Sequence, residues 1–447
     1  MTKFIVNKMP QNWQILQQYN GVANVCISGE AYSDIKDLTV CIRVCNENTY
    51  QDVILPIYIK PVNNLWSAEF TLPVGGPYTI TAYLRIGERD FLYPHRALHL
   101  GVGDNYIIAG QSNASGNSKD ILEDKCSENV HLFRLSGNWD IATHPLHDAT
   151  DAVFPDIFNE FGYHSPWLSF AKIINEHTGY PIGLIPTAVG GTPLSFWNRR
   201  EDGHLFDSML KMVKLSGSGV KGILWYQGCA DAADENSAQK YLEGFEELCK
   251  DFEKSFYDGI PIITVQINKQ TYRLQEHLKP WGILREAQRQ AAKKISNVYI
   301  VPTIDLPLCD TIHNCASSNL AVAQRTASVA LKYIYGRTVI GDFPDINKTV
   351  KISENKVRLY FDNVIDSLST DYLDIDNTVL RFNDEDGTNN IKDIIFNRDN
   401  TVDILLERNI VGKAKIGCEN LSYSGGVLYD VLTRYPMLAF DNVEIEL

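Results

Sequence analysis

Ser112 stands in a sequence setting that suits a nucleophile. Residues 106–116 read Tyr-Ile-Ile-Ala-Gly-Gln-Ser-Asn-Ala-Ser-Gly, an apolar run that passes through a glycine into the serine. Ligands bind at the carboxyl ends of strands in open α/β sheets, and the small residues after Ser112 leave room for a substrate. A serine after a strand also serves as a helix cap or a turn residue. The segment makes Ser112 a candidate nucleophile and leaves the structural role open.

A candidate base follows in the segment Asp310-Thr-Ile-His313. A serine hydroxyl needs a base to remove its proton, and an imidazole in that role needs a carboxylate to hold its tautomer and orient its ring. An aspartate and a histidine three residues apart can both project from one turn, which supplies the pair locally. The alternative is a surface Asp310 that caps a turn near an unrelated His313.

Two further segments end in groups suited to stabilising an oxyanion. Residues 182–192 form an apolar run that closes on Gly190-Gly191, and glycines let a backbone amide approach a developing oxyanion closely. The alternative is a phosphate loop, but neither the nucleotide-binding glycine pattern nor a following lysine is present. Residues 222–226 lead to Gln227, whose amide is either a hydrogen-bond donor to the substrate or a buried structural group.

These four segments lie between about residues 101 and 340, where continuous apolar runs alternate with amphipathic stretches. Continuous apolar runs are typical of strands buried on both faces of a parallel sheet, and apolar residues every three or four positions are typical of core-facing helices. This alternation predicts an α/β layer fold. The predicted strands are 106–109, 132–135, 182–187, 222–226, 262–267 and 298–304, and the predicted helices are 241–256, 281–295 and 320–335.

β-rich regions flank this α/β region. Residues 1–100 contain short β runs separated by turn residues such as Gly75-Gly-Pro-Tyr, a pattern typical of a small sandwich. The predicted strands here are 22–28, 38–44, 53–59, 66–72 and 78–85. Residues 341–447 return to β runs separated by turns rich in asparagine and aspartate. We therefore predict three domains, with boundaries near residues 100 and 340.

Taken together, the motifs resemble the sialate O-acetylesterase family, a carbohydrate-esterase branch of the SGNH hydrolases. The resemblance extends over nearly the whole chain, because the β-rich flanks match as well. It implies an SGNH-like three-layer α/β domain with a parallel sheet, and an esterase that needs no metal or organic cofactor. The matching segments are Gly110-Gln-Ser-Asn113, Ile182-Gly-Leu-Ile185, Gly190-Gly-Thr-Pro193, Trp225-Tyr-Gln-Gly228, Arg285-Glu-Ala-Gln288 and Asp310-x-x-His313.

The resemblance implies a role for each matching residue. Ser112 would be the nucleophile, and His313 would be the general base and later the general acid. Asp310 would orient His313. The backbone amides of Ser112 and Gly191 and the side chain of Gln227 would form the oxyanion hole.

Three other residues have either a functional or a structural interpretation. Trp197 is a candidate wall of the sugar site, or else an ordinary core tryptophan. Arg285 could steady that wall, bind substrate or make a structural ion pair. Asp305 lies near enough in sequence to compete as the orienting carboxylate, but only Asp310 has the motif's spacing.

The sequence departs from the family at Cys229. Members commonly continue the glutamine motif as Gln-Gly-Glu, whereas Cys229 follows Gly228 here, which removes a carboxylate beside the oxyanion donor. A thiol nucleophile at Cys229 is the alternative, but no histidine with a nearby asparagine or aspartate recommends it over Ser112.

Composition limits partners and location. The 447-residue chain has a net charge of −14, which argues against nucleic acid, since a phosphate backbone needs a basic partner surface. No stretch approaches the roughly 18–20 apolar residues of a membrane span, and the first residues lack the apolar core of a secretory signal. The nine cysteines are odd in number and scattered, with no zinc spacing. We predict a cytoplasmic protein with reduced thiols, no metal site, and no membrane or nucleic-acid partner.

The predicted substrate is an acetylated sugar or oligosaccharide. Acetylated sialic acid and fragments of acetylated xylan or mannan all suit the family, and short imported sugars suit a cytoplasmic enzyme better than polymers. A different class is a non-catalytic sugar-binding protein with a degenerate hydrolase core, which only Cys229 favours. The oligomeric state stays open.

Overall fold

Three clusters of buried hydrophobic side chains organise the molecule. The computed structural model describes residues 2–35, 37–120, 122–157, 163–271, 278–371, 378–418 and 426–446. The largest cluster comes mainly from residues 106–343, and the two others come mainly from residues 16–102 and 346–445. No helix among the described residues has the length and apolar character needed to cross a membrane.

Antiparallel strands dominate the N-terminal region. They are β1 (Thr2–Lys8), β2 (Ile15–Gln17), β3 (Val22–Ser33), β4 (Leu38–Asn46), β5 (Ile57–Ile59), β6 (Leu65–Pro73) and β7 (Gly75–Ile86). β1, β3 and β6 form a three-stranded sheet, and β4 pairs with β5 and β7. Buried and more exposed residues alternate along β3, as in a strand with one face on a core. The predicted strands at 22–28, 38–44, 66–72 and 78–85 lie within observed ones, whereas only 57–59 of the predicted 53–59 is a strand.

One long strand joins the N-terminal region to the site. β8 (Arg89–Gly110) begins in antiparallel pairing with β7. From Leu100 to Gly110 every residue is buried, and the end of the strand instead pairs in parallel with two strands of the central region. The predicted boundary at residue 100 therefore falls within a continuous strand, which leads directly to Ser112.

The central sheet places all of the predicted strands of the α/β region side by side. Its other strands are β9 (Val130–Phe133), β10 (Trp139–Ile141), β11 (Ile182–Pro186), β12 (Gly222–Tyr226), β13 (Ile262–Val265) and β14 (Val298–Val301). The order is β10-β9-β11-β8-β12-β13-β14. Each neighbouring pair from β9 to β14 is parallel. The sheet is nevertheless mixed and not purely parallel, because β10 runs antiparallel to β9 and β7 runs antiparallel to β8.

Helices connect these strands. They are α1 (Ser112–Ser115), α2 (Trp167–Thr178), α3 (His204–Ser216), α4 (Glu235–Ser255), α5 (Leu278–Lys294) and α6 (Ala316–Tyr333), with 3-10 turns at Leu194–Phe196 and Asp231–Ala233. α2 packs against α6, and α4 packs against α5. Asp234 caps α4 by accepting a hydrogen bond from the amide of Ser237 at 2.8 Å. The predicted stripe on α4 is buried as expected, for example at Tyr241, Phe245 and Phe252.

The C-terminal region is built from short antiparallel strands. They are β15 (Asp345–Ser353), β16 (Lys356–Asp362), β17 (Leu368–Thr370), β18 (Leu380–Asp384), β19 (Gly387–Thr388), β20 (Ile391–Phe396), β21 (Thr401–Leu406), β22 (Lys415–Cys418), β23 (Leu428–Asp430) and β24 (Val443–Glu444). They form sheets in the orders β15-β16-β21-β20, β17-β23 and β19-β18-β22-β24. The side chain of Gln266, just after β13, hydrogen-bonds both the amide and the carbonyl of Ala439. This pair fastens the C-terminal region to the central sheet.

Candidate active site

The segment that carries the candidate nucleophile Ser112 begins where β8 ends. Gly110 has a φ of 122°, and a Cβ there would lie 2.3 Å from the carbonyl oxygen of Tyr226 on β12, so the two strand ends meet this closely only at glycine. The backbone amide of Gln111 donates to the carbonyl of Tyr226 at 2.9 Å. The side-chain oxygen of Gln111 accepts from the backbone amide of Gly228 at 3.1 Å. These contacts hold the first turn of α1, with Ser112, at the carboxyl edge of the sheet.

His313 lies between Ser112 and Asp310. The Nε2 atom of His313 is 2.9 Å from the Oγ atom of Ser112, and its Nδ1 atom is 2.8 Å from the Oδ2 atom of Asp310. The second oxygen of Asp310 accepts from the amides of Ile312 at 2.9 Å and His313 at 2.8 Å. This network assigns the proton of neutral His313 to Nδ1 and leaves Nε2 to accept the serine proton.

The charge of Asp310 is stabilised locally. Burial by itself would raise the pKa of Asp310, but the hydrogen bonds from the His313 ring and from the amides of Ile312 and His313 hold the pKa below its ordinary value. The Nζ atom of Lys119 adds a positive charge 3.6 Å from Oδ2. Asp310 is thus an anion at neutral pH and can stabilise an imidazolium.

Asn113 is a site residue that was not singled out from the sequence. Its Nδ2 atom donates to the carbonyl of Ile312 at 3.1 Å, and its Oδ1 atom accepts from the amide of Asn314 at 3.1 Å. The side chain of Asn314 is held in turn by Asn268 at 2.9 Å. The available signal was an amide directly after the serine, which is suited to bonding a second backbone segment.

The loop after β11 lies beside the loop after β8. The amide of Val189 donates to the carbonyl of Gly110 at 2.9 Å, and the Thr192 hydroxyl donates to the carbonyl of Val189 at 2.7 Å. Gly191 is exposed with a φ of 71°, and a Cβ there would meet no atom within 4 Å. Within the described part of the chain, the amides of Ser112 and Gly191 donate no hydrogen bond, so both can serve a ligand oxygen.

Comparison with known proteins shows the family to which the chain belongs. A family model described as carbohydrate esterase, sialic acid-specific acetylesterase, matches residues 102–332, which is more than half of the chain. The chain belongs to this family. It is accordingly a carboxylic ester hydrolase, and the predicted membership of the sialate O-acetylesterase family is confirmed.

The chain is also similar to individual proteins described as carbohydrate esterases or acetylesterases. A probable carbohydrate esterase of Arabidopsis thaliana is 32% identical over 231 residues, covering 46% of this chain and 82% of the plant protein. The mouse sialate O-acetylesterase is 23% identical over 267 residues, and the match spans only 48% of its length. A solved carbohydrate acetylesterase of Xanthomonas citri shares the fold at a TM-score of 0.69, with 19% identity and coverage of 97% of this chain and 98% of that one.

The side-chain amide of Gln227, predicted as an oxyanion donor, is bonded within the protein in this structure. It is completely buried, and its Nε2 atom donates to the carbonyl of Thr192 at 3.0 Å and to the Oδ2 atom of Asp231 at 2.5 Å. Both hydrogens of the amide are therefore used within the protein. Burial raises the pKa of Asp231 to about 6. The hydrogen bonds from Gln227 and the Leu194 amide lower this pKa, but they only partly offset the effect of burial. Through its hydrogen bond to the Thr192 carbonyl, Gln227 holds the loop that contains Gly191.

Trp197 is also not where the sugar-site prediction requires it. Its exposed fraction is 0%, and its ring packs edge-on against Trp225 with centroids 5.3 Å apart. The loop after Gly191 turns inward through a 3-10 turn, so Trp197 joins the core of the esterase. This position agrees with the alternative of a core tryptophan.

Arg285 is buried as well and cannot touch a sugar from its position. It is 2% exposed, and its Nε atom donates to the carbonyl of Ile267 at 3.1 Å. No carboxylate among the described residues pairs with it, and Nη2 has no hydrogen-bond partner there. Burial lowers the pKa of Arg285 to about 10. Among the described residues, the alternative of a structural ion pair at Arg285 therefore finds no carboxylate partner.

The two remaining alternatives from the sequence are also decided by packing. Cys229 is buried, and burial raises the pKa of its thiol to about 12, which leaves it protonated and a poor nucleophile. Asp305 pairs with both terminal nitrogens of Arg325 at 2.8 and 2.6 Å and not with His313. Neither residue competes with Ser112 and Asp310.

Proposed function

We propose that the protein removes O-acetyl groups from a carbohydrate by serine acyl transfer. Ser112 is the nucleophile, His313 is the general base and acid, and Asp310 orients His313. The observation that carries this proposal is the continuous chain of contacts at 2.9 Å and 2.8 Å from Ser112 Oγ through the imidazole to Asp310. That geometry is the arrangement in which a histidine can activate a serine hydroxyl.

The reaction runs in two steps through an acetyl-enzyme. Ser112 Oγ bonds to the acetyl carbonyl carbon while its proton moves to His313 Nε2. The resulting oxyanion is stabilised by amide donors. His313 then gives the proton to the departing sugar oxygen as the old ester bond breaks. A water molecule, deprotonated by His313, repeats the attack and releases acetate and free Ser112.

The oxyanion donors in this proposal are the amides of Ser112 and Gly191. They lie on loops that leave the adjacent strands β8 and β11, and neither amide is used by another described residue. Gln227 acts indirectly, because its amide holds Thr192 and Asp231. Two amides are sufficient for an oxyanion hole, as in the serine hydrolase template.

The substrate proposal is an acetylated sugar, with an O-acetylated sialic acid as the first candidate. The family description and the mouse relative both carry that sugar in their names. Acetylated xylo- and manno-oligosaccharides are the alternatives within the same chemistry. The cytoplasmic location and the exclusion of nucleic-acid and membrane partners remain predictions of the sequence.

The architecture proposed for this function is a three-layer SGNH-like domain between two β-rich domains. Three separate buried clusters support the division at about residues 100 and 340. The pairing of α2 with α6 and of α4 with α5 supports one helical layer on each face of the central sheet.

Hydrolysis of p-nitrophenyl acetate by the Ser112→Ala variant tests the mechanism. We expect activity to fall to background, while Ser353→Ala, an exposed serine at the end of β15, keeps the activity of the parent. A fluorophosphonate probe should label the parent at Ser112 and fail to label Ser112→Ala. Activity retained in Ser112→Ala would remove the assignment.

Acetate release from sugars tests the substrate. The panel contains O-acetylated sialic acids, acetylated xylo-oligosaccharides and acetylated manno-oligosaccharides at equal concentrations. The highest kcat/KM on the sialic acids supports the first candidate, and a higher value on another sugar replaces it. Binding of these sugars without any acetate release would favour the non-catalytic sugar-binding class.

A further inference from the structure

Asp124, His144 and His164 bring three potential metal ligands together outside the proposed active site. One ligand atom from each residue lies within 4.8 Å of those of the other two. The three residues come from different segments: one after α1, one after β10 and one before α2. They are 20 positions apart in sequence, so no motif spacing marked them as a set.

The cluster is largely buried, with 17% of the His144 side chain exposed, and three of its four imidazole nitrogens have no hydrogen-bond partner among the described residues. The side chain of Asp124 is 4% exposed, and His164 is also 4% exposed. Both ring nitrogens of His144 and the Nε2 atom of His164 make no hydrogen bond with any described residue. Buried polar nitrogens are normally bonded to protein, water or an ion. Each imidazole thus has a nitrogen without a hydrogen bond, and together with the nearby Asp124 carboxylate this suggests a ligand that the three residues share.

One pair of ligand atoms in the cluster has a spacing that suits tetrahedral coordination. The Nε2 atom of His144 and the Oδ2 atom of Asp124 are 3.5 Å apart, at the outer limit of hydrogen-bond distance. Two ligand atoms at zinc's usual bond lengths, about 2.0–2.2 Å, lie about 3.4 Å apart when the angle between them is tetrahedral. The pair is thus already near the separation that a shared metal ion would impose.

One positive group competes for the same carboxylate. The Nζ atom of Lys172 is 2.5 Å from Oδ1 of Asp124, and the Ser169 hydroxyl donates to Oδ2 at 2.8 Å. Lys172 is 33% exposed, so its flexible side chain can turn toward solvent. Ser169 can donate to one lone pair of Oδ2 while the other faces the histidines.

We propose that Asp124, His144 and His164 bind one divalent transition-metal ion of the zinc class. Two imidazoles and a carboxylate form a donor set that suits zinc and disfavours magnesium or calcium, which prefer oxygen ligands. A water molecule would complete the coordination. The ion would have a structural role, because it joins three segments and forms no part of the proposed acyl-transfer chemistry.

The ion would also brace the loop that leads away from the nucleophile. That loop contains Lys119, which lies 3.6 Å from Asp310, and Asp120, which accepts the amide of Ala316 at the start of α6. Asp124 follows four residues later. Fixing Asp124 therefore fixes the end of a segment that contacts both the proposed orienting carboxylate and the helix after His313.

Metal titration of the full chain tests the proposal. Protein stripped with a chelator is titrated with Zn²⁺ by calorimetry and with Co²⁺ by absorption spectroscopy. We expect one site, with affinity reduced at least tenfold in His144→Ala and in His164→Ala. His177→Ala, an exposed histidine on α2, should bind as the parent does. Because the readout is binding, it is independent of whether the proposed esterase mechanism is correct.

Two further measurements exclude other ligands. A His313→Ala variant should bind normally, which separates this site from the proposed active site. The Co²⁺ spectrum should lack thiolate charge-transfer absorption, and Cys126→Ser should bind normally, since exposed Cys126 is the cysteine nearest Asp124 in sequence. A thiolate band that disappears in Cys126→Ser, or loss of binding in His313→Ala, would overturn the proposed ligand set.

The Lys172→Met variant should bind the metal more tightly than the parent, whereas the ligand variants should bind it more weakly. Removal of the competing ammonium group should strengthen metal binding severalfold, an effect that mere packing of the histidines would not produce. Asp124→Asn, checked for native circular dichroism, covers the case in which a histidine variant fails to fold, and it should bind at least tenfold more weakly. Absence of a site in the parent, or binding retained in all three ligand variants, would overturn the proposal.

Discussion

The side-chain amide of Asn113 is hydrogen-bonded to the backbone on both sides of His313. Its Nδ2 atom donates to the Ile312 carbonyl and its Oδ1 atom accepts from the Asn314 amide, each at 3.1 Å. The residue next to the proposed nucleophile therefore holds the segment that carries the proposed base. Because Ser112 and His313 are 201 positions apart, this direct link is an efficient way to keep their separation constant.

Asn113→Ala should reduce kcat about 10²-fold with little change in KM, since a displaced base slows proton transfer without altering substrate contacts. Asn113→Asp keeps the acceptor for Asn314 but loses the donor to Ile312, so we expect a smaller loss. Steady-state kinetics on p-nitrophenyl acetate measure both effects. Asn347→Ala, on β15, is the matched control. An unchanged kcat in a folded Asn113→Ala protein would contradict the positioning role.

Gln227→Ala should lower stability and activity together. The variant leaves buried Asp231 and the Thr192 carbonyl without their amide donor, which costs about 1–3 kcal/mol in unfolding free energy. Urea unfolding and kcat are measured on the same sample, with Gln239→Ala on the exposed face of α4 as the control. A loss in kcat of about 10²–10³-fold at unchanged stability would instead restore the oxyanion role predicted from the sequence.

The Cys229→Glu variant should be more stable than the Cys229→Gln variant. Arg285 is buried with an unpartnered Nη2 atom and lies within electrostatic range of Cys229, so a carboxylate at this position can pair with it. We expect the unfolding free energy to exceed that of Cys229→Gln, which has the same length without the charge, by about 1.5–3 kcal/mol. Denaturant unfolding of both variants measures this. A glutamate variant less stable than the glutamine variant would show that the carboxylate cannot reach Arg285.

Asp403 should stabilise the C-terminal region in a pH-dependent way. Its oxygens lie 2.6 Å from Arg358 and 2.6 Å from Lys356, and the Arg358 hydrogen bond is the main cause that lowers its pKa to about 2. The folded pKa lies below the unfolded value of about 3.9, so the stabilisation is present above that pH and is lost as the pH falls through about 2.

The corresponding measurement compares Asp403→Asn with the parent by urea unfolding. We expect a loss of about 2–3 kcal/mol at neutral pH and a smaller difference near pH 3, where the unfolded carboxyl is protonated. Asp371→Asn removes a pair with Arg434 in which both side chains are more than half exposed, so its effect should be about 0.5 kcal/mol or less. A difference for Asp403→Asn that stays constant with pH would contradict the ion-pair explanation.

Local patterns determined much of this protein. Continuous apolar runs indicated the strands of the central sheet, because burial on both faces leaves no polar positions. The three-residue spacing of Asp310 and His313 indicated a pair that one turn can form, and the structure places them 2.8 Å apart. The family motifs were also readable, since they occur as short contiguous segments at the ends of strands.

Only the tertiary structure decided which side chains lie beside Ser112 and which lie in the core. Gln227 and Trp197 follow strand ends as Ser112 does, yet packing turns both inward, because burial depends on neighbours distant in sequence. Arg285 likewise gains its solvent-free position from elements that no local pattern specifies. The same reason applies to Asp124, His144 and His164: their spacing predicts nothing, and the packing of three loops brings them together.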